Sequence, residues 1–371
     1  MKRVIIFLLV FLIAGTAVQA GGFEQPNQSA SAAGVANAFV ASATDASALI
    51  YNPAGIAWQS GVSIMGSGRL DYRDSSVETS LFNAPNNGTE PFTGSIYASW
   101  APVDGRLAAG FGFSPLYIVN NDWDVAFPAN SGITKLTVDH STFDFVYAVS
   151  SDLAVGLGAD WYITRATMTQ GVQSFQGNSF TSFGGHASLM WKPIPAWSVG
   201  AMFRSGAQVN MSGQANDTLS FKLPDYVSAG IAHDFADVWR LETDVKWTRW
   251  SALKDMNIVK AGLISQPNIL NLRDTLTVMA GLSWTWRENT QFRVGYAYEQ
   301  AANRSQNFSP LIADQDGHRI SIGAGGDLFG LHMDVAYQYV YFSKETATGA
   351  FAGGYRDRRQ SLMMSVSNEF D

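Results

Sequence analysis

Residues 275–286 read TLTVMAGLSWTW, and their spacing decides how the chain folds. Leu276, Val278, Ala280, Leu282, Trp284 and Trp286 fall on every second position, with Thr275, Thr277, Gly281, Ser283 and Thr285 between them. A β-strand turns successive side chains to opposite faces, so this stretch has one greasy face ending in aromatics and one small, polar face. Residues 239–247 repeat the pattern with charges. Trp239, Leu241, Thr243, Val245 and Trp247 point one way, and Arg240, Glu242, Asp244 and Lys246 the other. Four ionisable groups on a lipid-exposed face would be prohibitive, so they imply a wet lumen in which they pair. A soluble sandwich alternates in the same way. Trp and Tyr at the ends of the apolar faces favour a membrane barrel.

The connections alternate as well. Short turns at Pro102–Gly105, Ser150–Asp152, Pro193–Ala196, Phe235–Asp237, Arg287–Asn289 and Asp327–Gly330 are separated by longer irregular segments, among them Ile118–Leu136, Gln170–Phe180 and Ser251–Asp274. Tight turns at one end and larger loops at the other predict an all-β, up-and-down antiparallel transmembrane β-barrel of about fourteen strands. The last strand places Leu362, Met364, Val366 and Phe370 on one face, one residue short of the chain's end.

Composition agrees with this reading. Charged residues make up 15% of the chain and aromatics 13%, and mean hydropathy is −0.01. An average soluble chain carries about 25% charged residues. Lys2 and Arg3, the apolar run Val4–Ile13 and the small-residue stretch ending at Ala20 read as a cleaved export signal over residues 1–20, too short for a spanning helix. The formal net charge is −7, or −9 once Lys2 and Arg3 are removed, which argues against nucleic acid as a partner. No cysteine is present, so neither disulfides nor thiol chemistry is available. Residues 21–61 differ from the rest, being rich in Ala and Ser and nearly uncharged, and they are expected to form a plug inside a barrel over residues 62–371.

Other chemistries find little support. An esterase needs a Ser–His pair with an orienting partner. His140 and Ser141 are neighbours and face opposite ways on a strand. His186 and Ser188 share a face, but without a nucleophile-elbow context. The five histidines lack zinc-ligand spacing. The expectation is a chain that is not an enzyme, with no metal and no cofactor.

Several motifs, in order, carry a family resemblance. Gly22-Phe23, Gln28-Ser29, Gly34, Ala38-Phe39 and Asp45-Ala46-Ser47 lead into Tyr51-Asn52-Pro53-Ala54-Gly55. Leu223-Pro224 precedes Val227 and Gly230; Asp244 to Ser251 reads DVKWTRWS; Arg273-Asp274-Thr275 and Asp314-Gln315-Asp316 follow. This set resembles the FadL-type long-chain fatty-acid transporter family of outer-membrane proteins, which includes aromatic-hydrocarbon transporters. The resemblance implies a monomeric fourteen-stranded barrel in the outer membrane of a Gram-negative bacterium, among its lipids and lipopolysaccharide. It implies an N-terminal hatch with the signature Asn52, Pro53 and Ala54. Its cargo would be a long-chain fatty acid or another hydrophobic small molecule, an aromatic or alkane hydrocarbon being the alternative and a general porin for polar solutes a more distant one. Release would be sideways, through a wall opening at an inward kink of the third strand.

In this chain that strand is Arg106 to Tyr117, where Gly110, Gly112 and Pro115 are the residue types an opening needs. Gly110 and Gly112 could equally relieve crowding against the hatch. By family position Arg165 and Arg273 would meet an acyl carboxylate, or else pair with neighbouring acids. Trp123, Val125, Phe127, Phe175 and Phe180 would form an apolar capture surface on the outer loops.

Overall fold

The computed structural model describes residues 23–370 apart from 91, 103–104, 128–131, 171–172, 261–262, 265–268, 288, 304–313 and 349–350; the export signal and Gly21-Gly22 lie outside the described residues. Fourteen wall strands close into an antiparallel barrel. They are β1 Gly61–Glu78, β2 Thr93–Ala101, β3 Leu107–Asp122, β4 Gly132–Ala148, β5 Leu153–Gln170, β6 Gln173–Ile194 and β7 Trp197–Arg204. The circuit continues with β8 Tyr226–Phe235, β9 Trp239–Thr248, β10 Thr275–Arg287, β11 Thr290–Glu299, β12 Gly317–Leu328, β13 Leu331–Phe342 and β14 Gly353–Phe370. β14 returns to β1 in unbroken register from Val62 opposite Phe370 to Glu78 opposite Gly354, so no sheet edge faces lipid there.

The alternation read from sequence is the alternation of the wall. On β10, Leu276, Val278 and Trp286 are exposed on the outside, while Thr275, Met279, Gly281 and Ser283 are buried inside. Both chain termini of the barrel and its tight turns lie at one end. Two of these turns, Ala236-Asp237 and Phe329-Gly330, hold both residues at positive φ (52° and 59°, 56° and 77°), the twist that two-residue hairpins favour. The other end carries the long connections and short extra strands such as Gln208–Gly213 and Thr218–Lys222. Short turns face the periplasm and long loops the outside in bacterial barrels, which orients the molecule.

One expected loop is absent. Of Gln170–Phe180, Gln170 and residues 173–180 belong to strands, because β5 and β6 stay paired up to Gln170 opposite Gln173. Ser174, Phe175 and Gln176 alternate there, with Phe175 buried inside, so the stretch has a strand's two faces and extends the hairpin outward.

Residues 23–58 lie within the barrel. Two short helices, α1 Ala30–Gly34 and α2 Ala48–Tyr51, are followed by a 3₁₀ turn at Pro53–Trp58. Ser29 accepts from the Ala32 amide at 3.4 Å to cap α1, and Pro53 occupies the first turn of the 3₁₀ segment, where its missing N–H costs nothing. The Ala and Ser content of this segment follows from its confinement. Lumen-facing glycines supply the remaining room: a Cβ on Gly200 would stand 2.0 Å from the Val40 carbonyl oxygen, and one on Gly295 2.2 Å from the Val35 carbonyl carbon.

Candidate functional site: the turned-in third strand and its N-terminal partner

β3 breaks the rule that the other wall strands obey. Ser114 to Val119 are six consecutive buried residues, where an ordinary wall strand would expose every second one. A strand buried on both faces has left the wall and turned into the lumen. Pairing shows where this happens. β2 follows β3 only as far as Ile96 opposite Phe113, while β4 follows it along its length with a register shift between Pro115 and Tyr117. A bulge bends its strand, and Pro115 brings no N–H to the edge that β2 has left.

That edge is occupied from inside. The Gln25 amide donates to the Leu116 carbonyl at 2.8 Å, and the Ile118 amide to the Phe23 carbonyl at 3.0 Å. Glu24 stands opposite Tyr117 as an antiparallel bridge, and Gln28 Nε2 donates to the Pro115 carbonyl at 2.7 Å. The start of the chain thus replaces the missing strand. Its side chains hold it as well: Glu24 pairs with Lys246, whose ammonium also sits 3.9 Å above the Tyr226 ring. Phe23 packs against Tyr117 and Trp250 with ring centroids 5.5 Å and 4.9 Å away. These three rings belong to a large apolar cluster that includes Leu116, Val119, Leu136, Met168, Phe175 and Phe221. The cluster fills the outer half of the lumen behind β3.

Further along, the same segment is held differently. The Phe39 and Val40 amides donate to Asp244 Oδ2 at 2.7 and 2.9 Å, the Ala41 amide donates to Glu242 Oε1 at 2.6 Å, and the Ser42 hydroxyl donates to Glu242. Asn52 Nδ2 donates to the carbonyls of Val40 (2.7 Å) and Leu189 (3.0 Å), and the Ala54 amide donates to Ser188 Oγ at 3.0 Å. Arg204 reaches the Leu49 carbonyl at 3.2 Å. Its other side meets a buried wall network in which Asp160 bridges His140 (2.6 Å) and His186 (3.0 Å), and His186 also meets Asp144 at 2.6 Å. Asp45, within the segment, accepts from the Ser31 hydroxyl at 2.5 Å and the Ser47 amide at 2.9 Å. Burial pushes its carboxyl above the ordinary carboxylate range, against the pull of those two serines.

The charges of β9, expected to pair in the lumen, find their partners on other segments. Arg240 pairs with Asp234 at 2.6 Å and Lys246 with Glu24, while Glu242 and Asp244 serve backbone amides of the N-terminal segment. Strand parity places the two carboxylates inside, but amides on a distant segment have no residue signature to search for.

Of the residues named for an opening, Pro115 lies at the bulge, whereas Gly110 and Gly112 lie in the regular part of β3. A Cβ on Gly110 would be 2.3 Å from Leu49 of α2, and one on Gly112 would be 2.9 Å from the Tyr97 ring, so both glycines make room for lumen side chains.

Arg165 is an outward residue on β5, 59% exposed and paired with Asp139 at 2.6 Å. It stands outside the apolar cluster, and its shared parity with Leu157 and Trp161 already put it on the lipid-side face. Arg273 sits among the outer loops, donating to the Ala301 carbonyl at 2.7 Å with Asp316 at 3.6 Å. Arg165 lies away from the lumen cluster, while Arg273 sits at its outer rim beside Leu272 and Ala302, its guanidinium engaged by Ala301 and Asp316.

The capture residues divide. Trp123 is buried against Tyr355 (5.4 Å) in a small outer cluster that Phe127 flanks; Phe175 belongs to the large inner cluster; Val125 and Phe180 are exposed. They do not form one surface.

A closed barrel with an internal plug, a buried apolar cluster in its outer half and one strand withdrawn from the wall defines a plugged outer-membrane β-barrel. The chain belongs to the family described as outer membrane protein transport protein (OMPP1/FadL/TodX), which matches residues 11–214 and 173–365. It is similar to outer membrane protein P1 of Haemophilus influenzae, 25% identical over 294 residues, which cover 65% of this chain and 64% of that protein. The chain therefore matches somewhat less than two-thirds of that relative's length. Among solved structures, a FadL homologue of Pseudomonas aeruginosa superposes with a TM-score of 0.83 at 17% identity, over 94% of this chain and all of that one. The Pseudomonas putida toluene transporter TodX gives 0.68 at 16% identity, over 91% and 98%. Likeness at this level of identity shows the fold.

Proposed function

We propose that this channel takes up hydrophobic small molecules passively and releases them sideways into the outer membrane through the gap beside β3. The observation that supports this most is the run of buried residues Ser114–Val119, whose freed edge is covered by Phe23–Gln25 instead of a wall strand. A molecule entering from the outer loops meets the apolar cluster, and displacement of one short segment opens a path to lipid. Water-filled pores give such solutes no favourable environment. Keeping apolar surface dry is worth about 0.8 kcal/mol per CH₂.

Two cargo classes fit this path, long-chain fatty acids and uncharged hydrocarbons. The charges favour the second. Arg165 stands outside the cluster, Arg273 at its rim is engaged by Ala301 and Asp316, and Lys246, which borders the small cavity beside Leu116, is held by Glu24 and Tyr226. A carboxylate in a dry chamber requires a cation and hydrogen bonds.

Uptake of toluene, an alkane and oleate by cells expressing wild type and the Arg165→Ala/Arg273→Ala variant tests both points. The account expects uptake of the neutral probes, unchanged in the variant. Selective loss of oleate uptake in the variant would restore the fatty-acid reading. Free ion conductance through wild type in planar bilayers would instead identify a general porin.

A further inference from the structure

Arg165 faces away from the lumen into a second structure. On the outward faces of β4, β5, β6 and the short strand Gln208–Gly213, at the end that carries the long connections, Thr137, Arg165, Asn178 and Ser212 stand side by side in strand register. One step further out, Lys135, Thr167 and Gln176 form a second row. Together they line a depression of about 550 Å³ on the outside of the barrel. Its position along the membrane normal is marked by aromatic residues. Phe180 and Phe183, exposed on β6, lie two and five residues on the membrane side of Asn178, and Trp161 lies four residues from Arg165 on β5. Aromatic girdles mark the boundary between hydrocarbon and headgroups, so the depression opens at headgroup level in the outer leaflet.

We propose that this depression is a binding site for a phosphate group of the phosphorylated glycolipid that fills the outer leaflet. Two cations meet one acid there: Asp139 accepts from Arg165 Nη1 at 2.6 Å, and Lys135 has no ion pair among the described residues. The hydroxyls of Thr137 and Thr167 and the amides of Gln176 and Asn178 surround them. A guanidinium fork, an ammonium and neutral donors suit a group that presents several acceptor oxygens at once. Acyl chains attached to that phosphate would lie along Trp161, Phe180 and Phe183. Elsewhere on the same rim the cations are neutralised, since Lys344 and Arg356 share Glu78 at 3.1 and 2.8 Å. The site concerns the protein's seat in the membrane and holds whichever cargo is carried.

Binding of bisphosphorylated lipid A and of the same lipid stripped of phosphate, measured by native mass spectrometry on detergent-purified protein, tests the proposal. Wild type should prefer the phosphorylated form by about tenfold or more, as expected for charge-assisted contacts. The Lys135→Gln/Arg165→Gln variant should lose that preference, and Lys344→Gln/Arg356→Gln should keep it. Both substituted side chains are outward, and heat-modifiable migration in gels confirms that the barrel is folded. Should the double variant fail to fold, the salt dependence of wild-type binding decides: preference for the phosphorylated lipid should fall with added salt. Equal binding of the two lipids, or preference retained by Lys135→Gln/Arg165→Gln, would overturn the assignment. Displacement by millimolar inorganic phosphate, with no advantage from the acyl chains, would also overturn it, giving the site to a free anion.

Discussion

The two ends of the N-terminal segment are held by different chemistry. At residues 39–42 the wall contributes side chains: Asp244 and Glu242 take three amides and a hydroxyl. At residues 23–25 the segment's backbone pairs with wall backbone, the Leu116 carbonyl and the Ile118 amide, while Lys246 meets Glu24 and the Tyr117 and Trp250 rings pack on Phe23. A hydrogen bond contributes about 0.5–1.5 kcal/mol net. The clamp therefore makes four hydrogen bonds where the edge pairing makes two, and it covers the amides of Phe39, Val40 and Ala41. A clamp of this kind fixes one conformation. An edge pairing of two bonds leaves β3 competent to pair, pack against cargo or stand open. The difference teaches that the plug has a clamped body and an end that lies in the gap of the wall, and the proposed function requires that end to leave.

Removing the clamp should have the largest effect. Asp244→Ala combined with Glu242→Ala strands buried donors at about 1–3 kcal/mol each, and the segment should leave the lumen. Limited proteolysis of folded barrels is expected to cut near residue 40, and single-channel recordings to show ion conductance that wild type lacks. Silence in both assays would mean that packing alone retains the plug. A comparable effect by a different route is expected of Gly200→Leu, whose side chain would occupy the space of the Val40 carbonyl. Here the same protease cut should appear with both carboxylates in place.

Asn52→Ala/Pro53→Ala should act more mildly. It removes the Asn52 links to Val40 and Leu189 and leaves the clamp intact, so uptake should fall several-fold while heat-modifiable migration stays normal. Unchanged uptake would reduce the signature to a folding turn. Trp250→Ala comes last in this order. It deletes a buried ring that touches Phe23 and Tyr117, a loss of about 3–5 kcal/mol in packing that the rest of a large barrel can absorb. The expected readout is faster proteolysis at residues 23–28 without cutting near residue 40. Cutting at both places together would merge the two ends into one unit and break the comparison.

The wall was legible in the sequence because its two environments, lipid and lumen, are so unlike that parity alone sorts the residues. TLTVMAGLSWTW could be assigned face by face, and so could Glu242, Asp244 and Arg165. What parity leaves unread is distance across the lumen. Nothing in Phe39, Val40 or Ala41 announces that their amides meet Asp244 and Glu242, since backbone donors are the same in every residue. The bend of β3 was legible in type, through Pro115, but its depth was not. Gly110 and Gly112 were open between a bend and relief of crowding; Gly110 answers to Leu49 of the plug and Gly112 to Tyr97 of the wall, neighbours that only the folded barrel brings to them. The extended β5–β6 hairpin was missed because Gln170–Phe180 is polar enough to pass for a loop, although Phe175 sits at an inward position.

The central claim is that uptake requires Phe23–Gln25 to leave the edge of β3. Glu24 and Tyr117 face each other as a non-hydrogen-bonded antiparallel pair, flanked by the bonds from Gln25 to Leu116 and from Ile118 to Phe23. Such pairs have Cα atoms about 4.5 Å apart, within the range a disulfide spans. The chain has no cysteine of its own, so Glu24→Cys/Tyr117→Cys creates a single possible bridge. Uptake of a radiolabelled hydrophobic probe by cells expressing this variant should be lost under oxidising conditions and recover on reduction, with both single-cysteine variants active throughout. Full uptake by the oxidised, cross-linked protein would contradict the account.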